Sequence, residues 1–276
     1  MLIGAHVSVA GGPSRAFERA TAIGAASFQI FTRNARGWRS GPLMDEERKA
    51  FRKEARRTGL PVIAHGGYLT NLASEDPAMR EKSLHCLADE LTRCERLGVG
   101  SLVIHPGCHP DPKRGIRLIA DALDQIHVET PRFRSRICLE VTAGQGTAIG
   151  WRFEHLAEIL AAVRYEKRLS VCLDTCHLFA AGYDLSTEVG YEKVMREFHD
   201  LVGLDRVTCV HLNDCKKGLG CRVDRHEELG KGTLGVTPFA CLVNDRRFEG
   251  VIGVLETPVP ERYAEAIQLL NSLVRK

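Results

Sequence analysis

What most constrains this chain is a rhythm: short apolar runs rich in β-branched residues alternate with amphipathic stretches from one end to the other. Strand-like runs fall at residues 2–5, 28–31, 62–64, 101–104, 137–139, 169–173, 207–210 and 251–255. Glycine and polar residues bound them, as they bound buried parallel strands. Helical patterns lie between, among them 45–58, 77–97, 114–128, 153–164, 191–201 and 260–274, with Pro77 and Pro260 where a first helical turn accepts proline. Eight strand–helix units in 276 residues average roughly 34 each, the repeat of a (β/α)8 TIM barrel. The expected fold class is therefore α/β, with one TIM-barrel catalytic domain over residues 1–276. A doubly wound open sheet is the alternative, but no GxGxxG follows the first strand to support a dinucleotide site.

With 44% apolar residues the chain can fill a barrel core. A net charge of +3 permits a polyanionic partner without requiring one, so any nucleic-acid contact has to be argued from where basic residues sit. The ten cysteines form no paired CxxC set, and no apolar run approaches the ~18 residues of a membrane span. The opening Met1-Leu2-Ile3-Gly4-Ala5-His6 lacks the features of a secretory signal. A reducing cytoplasm is the expected location, with most cysteines as small buried hydrophobes and no membrane partner.

The chemistry sits just past the strands. Strands three to eight are followed by His65, His105, Glu140, Asp174, His211 and Glu256. Six consecutive strands each deliver a metal-competent side chain to the C-terminal face of the barrel, where barrel enzymes place their reactive groups. Two local pairs extend the set: His177 lies one helical turn beyond Asp174, and Asp224 and His226 lie in the segment after strand seven. That segment is longer than connections usually are, which marks it as a working loop. Five histidines and four carboxylates exceed what one ion can use. At about three protein ligands per catalytic zinc they suggest three ions. The nitrogen-rich set favours zinc, or manganese at some positions, over magnesium. Three divalent ions against four carboxylates leave a surplus of about +2, suited to phosphate and to a pentavalent transition state.

His6, after strand one, is expected to orient a ligand rather than be one. His85, His109, His127, His155 and His199 are expected to be structural or exposed. Cys176, Cys215 and Cys221 lie near the site but are read as bystanders, the nitrogen and oxygen set being complete. Basic residues on the same face, Arg33, Lys216, Lys217, Arg222, Arg225 and Lys231, are candidates for phosphate contacts.

The motifs that carry a family resemblance are Gly4-Ala5-His6-Val7-Ser8, His105-Pro106-Gly107, Leu139-Glu140 with Thr142-Ala143-Gly144-Gln145-Gly146, and Leu173-Asp174-Thr175-Cys176-His177. To these are added His211-Leu212-Asn213-Asp214, Arg222-Val223-Asp224-Arg225-His226 and Leu255-Glu256-Thr257. On them the chain resembles, over essentially its whole length, the endonuclease IV family of apurinic/apyrimidinic endonucleases. The resemblance implies three Zn2+ ions, with Mn2+ admissible at one position. His65, His105 and Glu140 would hold the first, Glu140, Asp174, His211 and Glu256 the second, and His177, Asp224 and His226 the third.

It further implies hydrolysis of the phosphodiester 5′ to an abasic deoxyribose in duplex DNA by a metal-activated hydroxide that Glu140 and Glu256 orient. The products would be a 3′-hydroxyl and a 5′-deoxyribose phosphate, and blocked 3′ ends would also be trimmed. By similarity Arg36, Tyr68 and Leu69 would wedge into the DNA beside the lesion; of the basic residues on that face, Lys216 and Arg225 are expected to contact the DNA. A monomer that meets the nucleoid only through DNA is implied as well. The chain departs from the family pattern at Val141, where asparagine is common, and at Gly37, where a longer polar side chain often stands. The rival reading is a metal-dependent sugar isomerase or epimerase on the same barrel, which would leave His177, Asp224 and His226 without a task. A metal-stabilised DNA-binding protein without catalysis and a purely structural barrel are the remaining alternatives.

Overall fold

The computed structural model of the chain describes residues 1–275. Among these residues eight parallel strands close a barrel: β1 (Leu2–His6), β2 (Ser27–Phe31), β3 (Val62–His65), β4 (Ser101–Ile104), β5 (Arg136–Glu140), β6 (Leu169–Asp174), β7 (Val207–His211) and β8 (Ile252–Leu255). Each strand pairs with its sequence neighbours, and β8 closes onto β1 with Leu2 opposite Ile252. The approach of β1 to β2 depends on Gly4, since a Cβ there would fall onto the Ser27 carbonyl.

The helices ring the barrel: α1 (Arg15–Ala22), α2 (Asp45–Thr58), α3 (Pro77–Leu97), α4 (Pro112–Glu129), α5 (Phe153–Ala162), α6 (Thr175–Ala181), α7 (Glu188–Leu201), α8 (Thr237–Asn244) and α9 (Tyr263–Ser272). Local chemistry starts and stops them. Asp76 and Asp111 cap α3 and α4 by accepting from Met79 N and Arg114 N, each ahead of a proline in the first turn. Gly59 and Gly98 end α2 and α3 in the left-handed conformation. Pro260 does not begin the last α-helix as its position suggested; it opens a 3-10 turn, Pro260–Arg262, and the α-helix starts at Tyr263. Between strands and helices Phe17 packs edge-on to Phe28 and to Phe51, both at 4.9 Å and all three fully buried. Truncating any of them to alanine would cost about 3–5 kcal/mol.

Strand periodicity places the site. Ile63, Val103, Cys138, Cys172, Cys209 and Val254 form a separate buried cluster. Each stands two residues before His65, His105, Glu140, Asp174, His211 and Glu256 respectively. Because side chains i and i+2 share a face, the six polar residues form the layer above this dry plug at the C-terminal mouth. Three of the plug residues are cysteines, and burial pushes the Cys138 thiol to about 12 and the Cys209 thiol to about 11, so they serve as small apolar side chains.

Candidate metal centre

The nine side chains read from the sequence converge. Glu140, 1% exposed, stands at the middle with its two oxygens facing different neighbours. Oε2 lies 3.1 Å from His65 Nε2 and 3.2 Å from His105 Nε2. Oε1 lies 2.9 Å from His211 Nδ1 and 3.3 Å from His177 Nδ1. Within these nine side chains three groups of mutually close ligand atoms result: His65, His105 and Glu140; Glu140, Asp174, His211 and Glu256; and Asp174, His177 and His226; a fourth joins His211 to the plug thiols Cys172 and Cys209. Asp224 stands beside the third group, with Oδ2 3.3 Å from His177 Nε2 and Oδ1 3.4 Å from His226 Nε2. The structure thus brings Asp174 to two of the three groups.

Asp174 earns that place by helix capping. Its Oδ1 accepts from His177 N at 2.8 Å and starts α6, which sets His177 one turn on. Its Oδ2, which also accepts from Asn213, lies 3.7 Å from His211 Nδ1 and 3.6 Å from His226 Nε2. Asp224 and His226 arrive from the loop after β7, where a two-residue ribbon pairs Cys215 with His226.

Each of four imidazoles is held through one nitrogen while the other faces the centre. His65 Nδ1 donates to Gly66 O at 2.8 Å, His177 Nδ1 to Val141 O at 2.9 Å and His226 Nδ1 to Glu256 O at 3.1 Å. His211 Nε2 donates to Gln29 Oε1 at 3.0 Å. Such outer contacts fix tautomer and ring orientation in metal sites. Val141 supplies its carbonyl and packs its side chain in the core, so the His177 contact does not depend on the side chain at this position.

Two residues that strand-end reasoning passed over complete the support. Gln29, fully buried on β2, accepts from His211, donates to Glu256 Oε1 at 2.6 Å and lies 3.0 Å from His6 Nδ1. With both bonds to carboxylate and imidazole the amide has one sensible orientation. A glutamine inside the five-residue run Ser27–Phe31 was the available signal. Asn213 donates to Asp174 Oδ2 at 2.7 Å and accepts from Glu256 N at 2.8 Å, tying the ends of β6 and β8. His6 stands 3.5 Å from Glu256 Oε1, packed on Phe31.

The electrostatics follow from burying opposite charges together. Burial opposes a charge on His65, His177 and His211, yet all three lie above the ordinary imidazole value. For His65 the Glu140 hydrogen bond and charge outweigh burial, and for His177 Asp174, Asp224 and Glu140 do so. For His211 the Glu256 and Glu140 carboxylates do the same. Against its own burial, Glu140 is held well below the carboxylate range by His211 and His105, and Glu256 is lowered by His211 and the His6 hydrogen bond. Burial lowers His6.

The donor set fits zinc on two counts. His177 Nε2 and His226 Nε2 are buried and make no hydrogen bond, although carboxylate oxygens approach within 3.3–3.6 Å. Two ligand atoms each ~2.1 Å from a tetrahedral zinc sit ~3.4 Å apart, so close but unbonded pairs are what co-ligands look like.

The layer opens into a cleft of about 750 Å3 lined by His6, His65, His105, His177, Asp224, His226 and Glu256 on its floor, with Arg36 and Tyr68 on its rim. Tyr68 is 61% exposed and Leu69 38%, unusual for large apolar side chains, and Tyr68 N is tied to Ala35 O on the neighbouring loop. Arg36 is exposed at the same mouth. Gly37 fits a tight turn in which a Cβ would meet the Asn34 side chain at 2.9 Å.

Several basic residues are not free for phosphate. Arg33 is buried, bonded to Asp89 and to the Gly37 and Trp38 carbonyls, so it holds the 33–38 turn together. Arg222 lies over the Trp151 ring at 3.9 Å with a left-handed φ of 52°, and Lys231 pairs with Glu228. Lys216 is exposed with Glu227 at 3.8 Å, and Arg225 is exposed beside the Asp224 carbonyl. Among the described residues no helix is long and apolar enough to cross a membrane.

Comparison with known proteins agrees with this architecture. A family described as "Xylose isomerase-like TIM barrel" matches residues 17–273. A protein named "Probable endonuclease 4" from Chloroflexus aurantiacus is 48% identical over 278 residues, covering 99% of this chain and 98% of that one. The crystal structure of endonuclease IV from Thermus thermophilus superposes with a TM-score of 0.88 at 39% identity, covering 99% of this chain and 98% of the other. A D-tagatose 3-epimerase-like protein matches with a TM-score of 0.75 at 17% identity, a likeness of fold alone. With similarity that runs end to end and a metal-ligand layer at the barrel mouth, the chain belongs to the endonuclease IV family.

Proposed function

We propose that the chain is a zinc-dependent DNA-repair endonuclease that hydrolyses the phosphodiester 5′ to abasic sites in duplex DNA and also trims blocked 3′ ends. The observation that carries the reading is Glu140, whose two oxygens face separate groups of imidazoles, as a carboxylate bridging two ions must. His65 and His105 would hold one Zn2+ with Glu140. Asp174, His211 and Glu256 would hold the second with it, and His177, Asp224 and His226 the third. Mn2+ is admissible at one of these positions. When bound, the ions lower the pKa of water and offset negative charge on the phosphate and the leaving oxygen.

The chain's own groups supply position. Glu140 and Glu256 would orient the attacking water, and Gln29 and His6 hold Glu256 Oε1 in place. The dry plug beneath closes the floor of the layer with packed apolar side chains. A missing base makes the sugar cheap to extrude, since little stacking is broken. Tyr68, at the rim with Arg36, and the adjacent exposed Leu69 are suited to fill the gap in a kinked duplex. Lys216 and Arg225 flank the backbone path. We also assign the chain to the cytoplasm as a monomer, associated with the nucleoid through its substrate.

Elemental analysis of the purified chain combined with incision of a labelled abasic duplex tests the reading. Close to three zinc per chain, chelator-sensitive nicking and its loss in Glu140→Ala are expected. Full turnover by Glu140→Ala would refute it. A sugar epimerase would instead convert ketoses and leave the duplex intact.

A further inference from the structure

The segment from β7 to α8 has only a two-residue ribbon as regular structure, yet it carries Asp224 and His226. A ribbon that short does not hold itself together in water. Asp214, three residues past His211 and 0% exposed, gathers the segment instead. Its Oδ1 accepts from Cys215 N at 2.7 Å, Leu234 N at 3.1 Å and Gly235 N at 3.4 Å. Its Oδ2 accepts from Gly230 N at 2.9 Å and Gly232 N at 3.0 Å. Among the described residues all five donors are backbone N–H groups, four of them from the returning end of the loop.

The sequence is built for that approach. A Cβ on Gly232 would fall onto Asp214 Oδ1 and Cys215 O, while Gly230 and Gly235 take φ of 73° and 79°. Thr233 N reaches Cys215 O at 2.8 Å and closes the return. The result is a ribbon fixed in one register, Asp214 opposite Glu227 and Cys215 opposite His226. In that register His226 Nδ1 meets Glu256 O and Nε2 turns to Asp174. Only a carboxylate offers two acceptor oxygens here. An amide would turn its NH2 group onto N–H donors and leave them buried and unpaired.

We infer that Asp214 is a positioning residue for the third ion, fixing the loop that presents Asp224 and His226 while contributing no ligand atom itself. This rests on the zinc reading above and deepens it. The test uses Asp214→Asn and, separately, Gly232→Ala. In chelator-treated protein, trypsin should cut at the exposed Lys216, Lys217, Arg225 or Lys231 at least about 10-fold faster than in wild type, because the loop opens locally. In zinc titrations one equivalent should bind about 10–100-fold more weakly while the others keep wild-type affinity.

A loop as resistant as wild type, with every equivalent bound normally, would overturn the inference. So would an equal weakening of all equivalents with a lowered Tm in both variants, which would make Asp214 a general folding residue. If wild type itself takes up fewer than three ions, the three-zinc reading fails, while the protease result still decides what Asp214 does. Should Asp214→Asn not fold, Gly232→Ala carries both measurements.

Discussion

Replacing Gln29 with leucine probes how the barrel interior holds its ligands. The side chains are similar in size, so the change removes hydrogen bonds without opening a large cavity. His211 Nε2 loses its one acceptor among the described residues, Gln29 Oε1 at 3.0 Å, and the ring is fully buried. An unpaired buried polar group costs about 1–3 kcal/mol. The bonds to Glu256 and His6 count for less, because those side chains are 19% and 16% exposed and water can replace part of the contact. A net loss of about 2 kcal/mol is expected, read as a fall of several degrees in the Tm of the chelated protein. The freed ring also loses its fixed tautomer, so zinc affinity should drop about 10–100-fold, or about 1.4–2.7 kcal/mol. Thermal melts and competition against a chelator of known affinity measure the two quantities. Wild-type zinc affinity in Gln29→Leu would refute the orienting role, and a lowered Tm alone would reduce Gln29 to packing.

Three other outcomes follow from the same geometry. The raised His65, His177 and His211 values mean that protons and metal compete for the same nitrogens, so zinc affinity should fall from about pH 8 to about pH 6, with protons released into weak buffer on binding. In the chelated protein these imidazoles add stability below about pH 6.5, lost as pH rises through their folded values, whereas depressed Glu140 and Glu256 add stability above about pH 4.3, lost on acidification. A pH-independent zinc affinity would contradict the competition. Tyr68→Ala should change Tm by less than about 0.5 kcal/mol equivalent, given its exposure, and leave zinc content intact, while incision of abasic duplex falls at least about 10-fold; unchanged incision would remove the wedge role. Arg33→Ala should destabilise by about 2–3 kcal/mol through loss of the Asp89, Gly37 and Trp38 contacts, measured by denaturant melts; a neutral result would return Arg33 to the phosphate-binding candidates.

Read alone, the sequence determined the barrel and which side chains gather in the layer at its mouth. Both rest on short-range regularities. The strand period sets which side chains share a face, and the residue after each apolar run sits at the mouth whatever the remote partners are. The Asp174–His177 pair was legible for the same reason, because one helical turn separates them and the cap lies between. What needed tertiary structure was every relation across distant strands. Gln29 meets Glu256 across 227 positions, and Asn213 joins Asp174 to the backbone of Glu256. The sharing of Asp174 between two ligand groups, the burial of Arg33 in its own turn and the gathering of the β7–α8 loop on Asp214 belong to the same class. Periodicity tells a residue which way to face. Only closure of the sheet decides which lone pair it will find there, since that depends on register and on groups brought together from opposite ends of the chain.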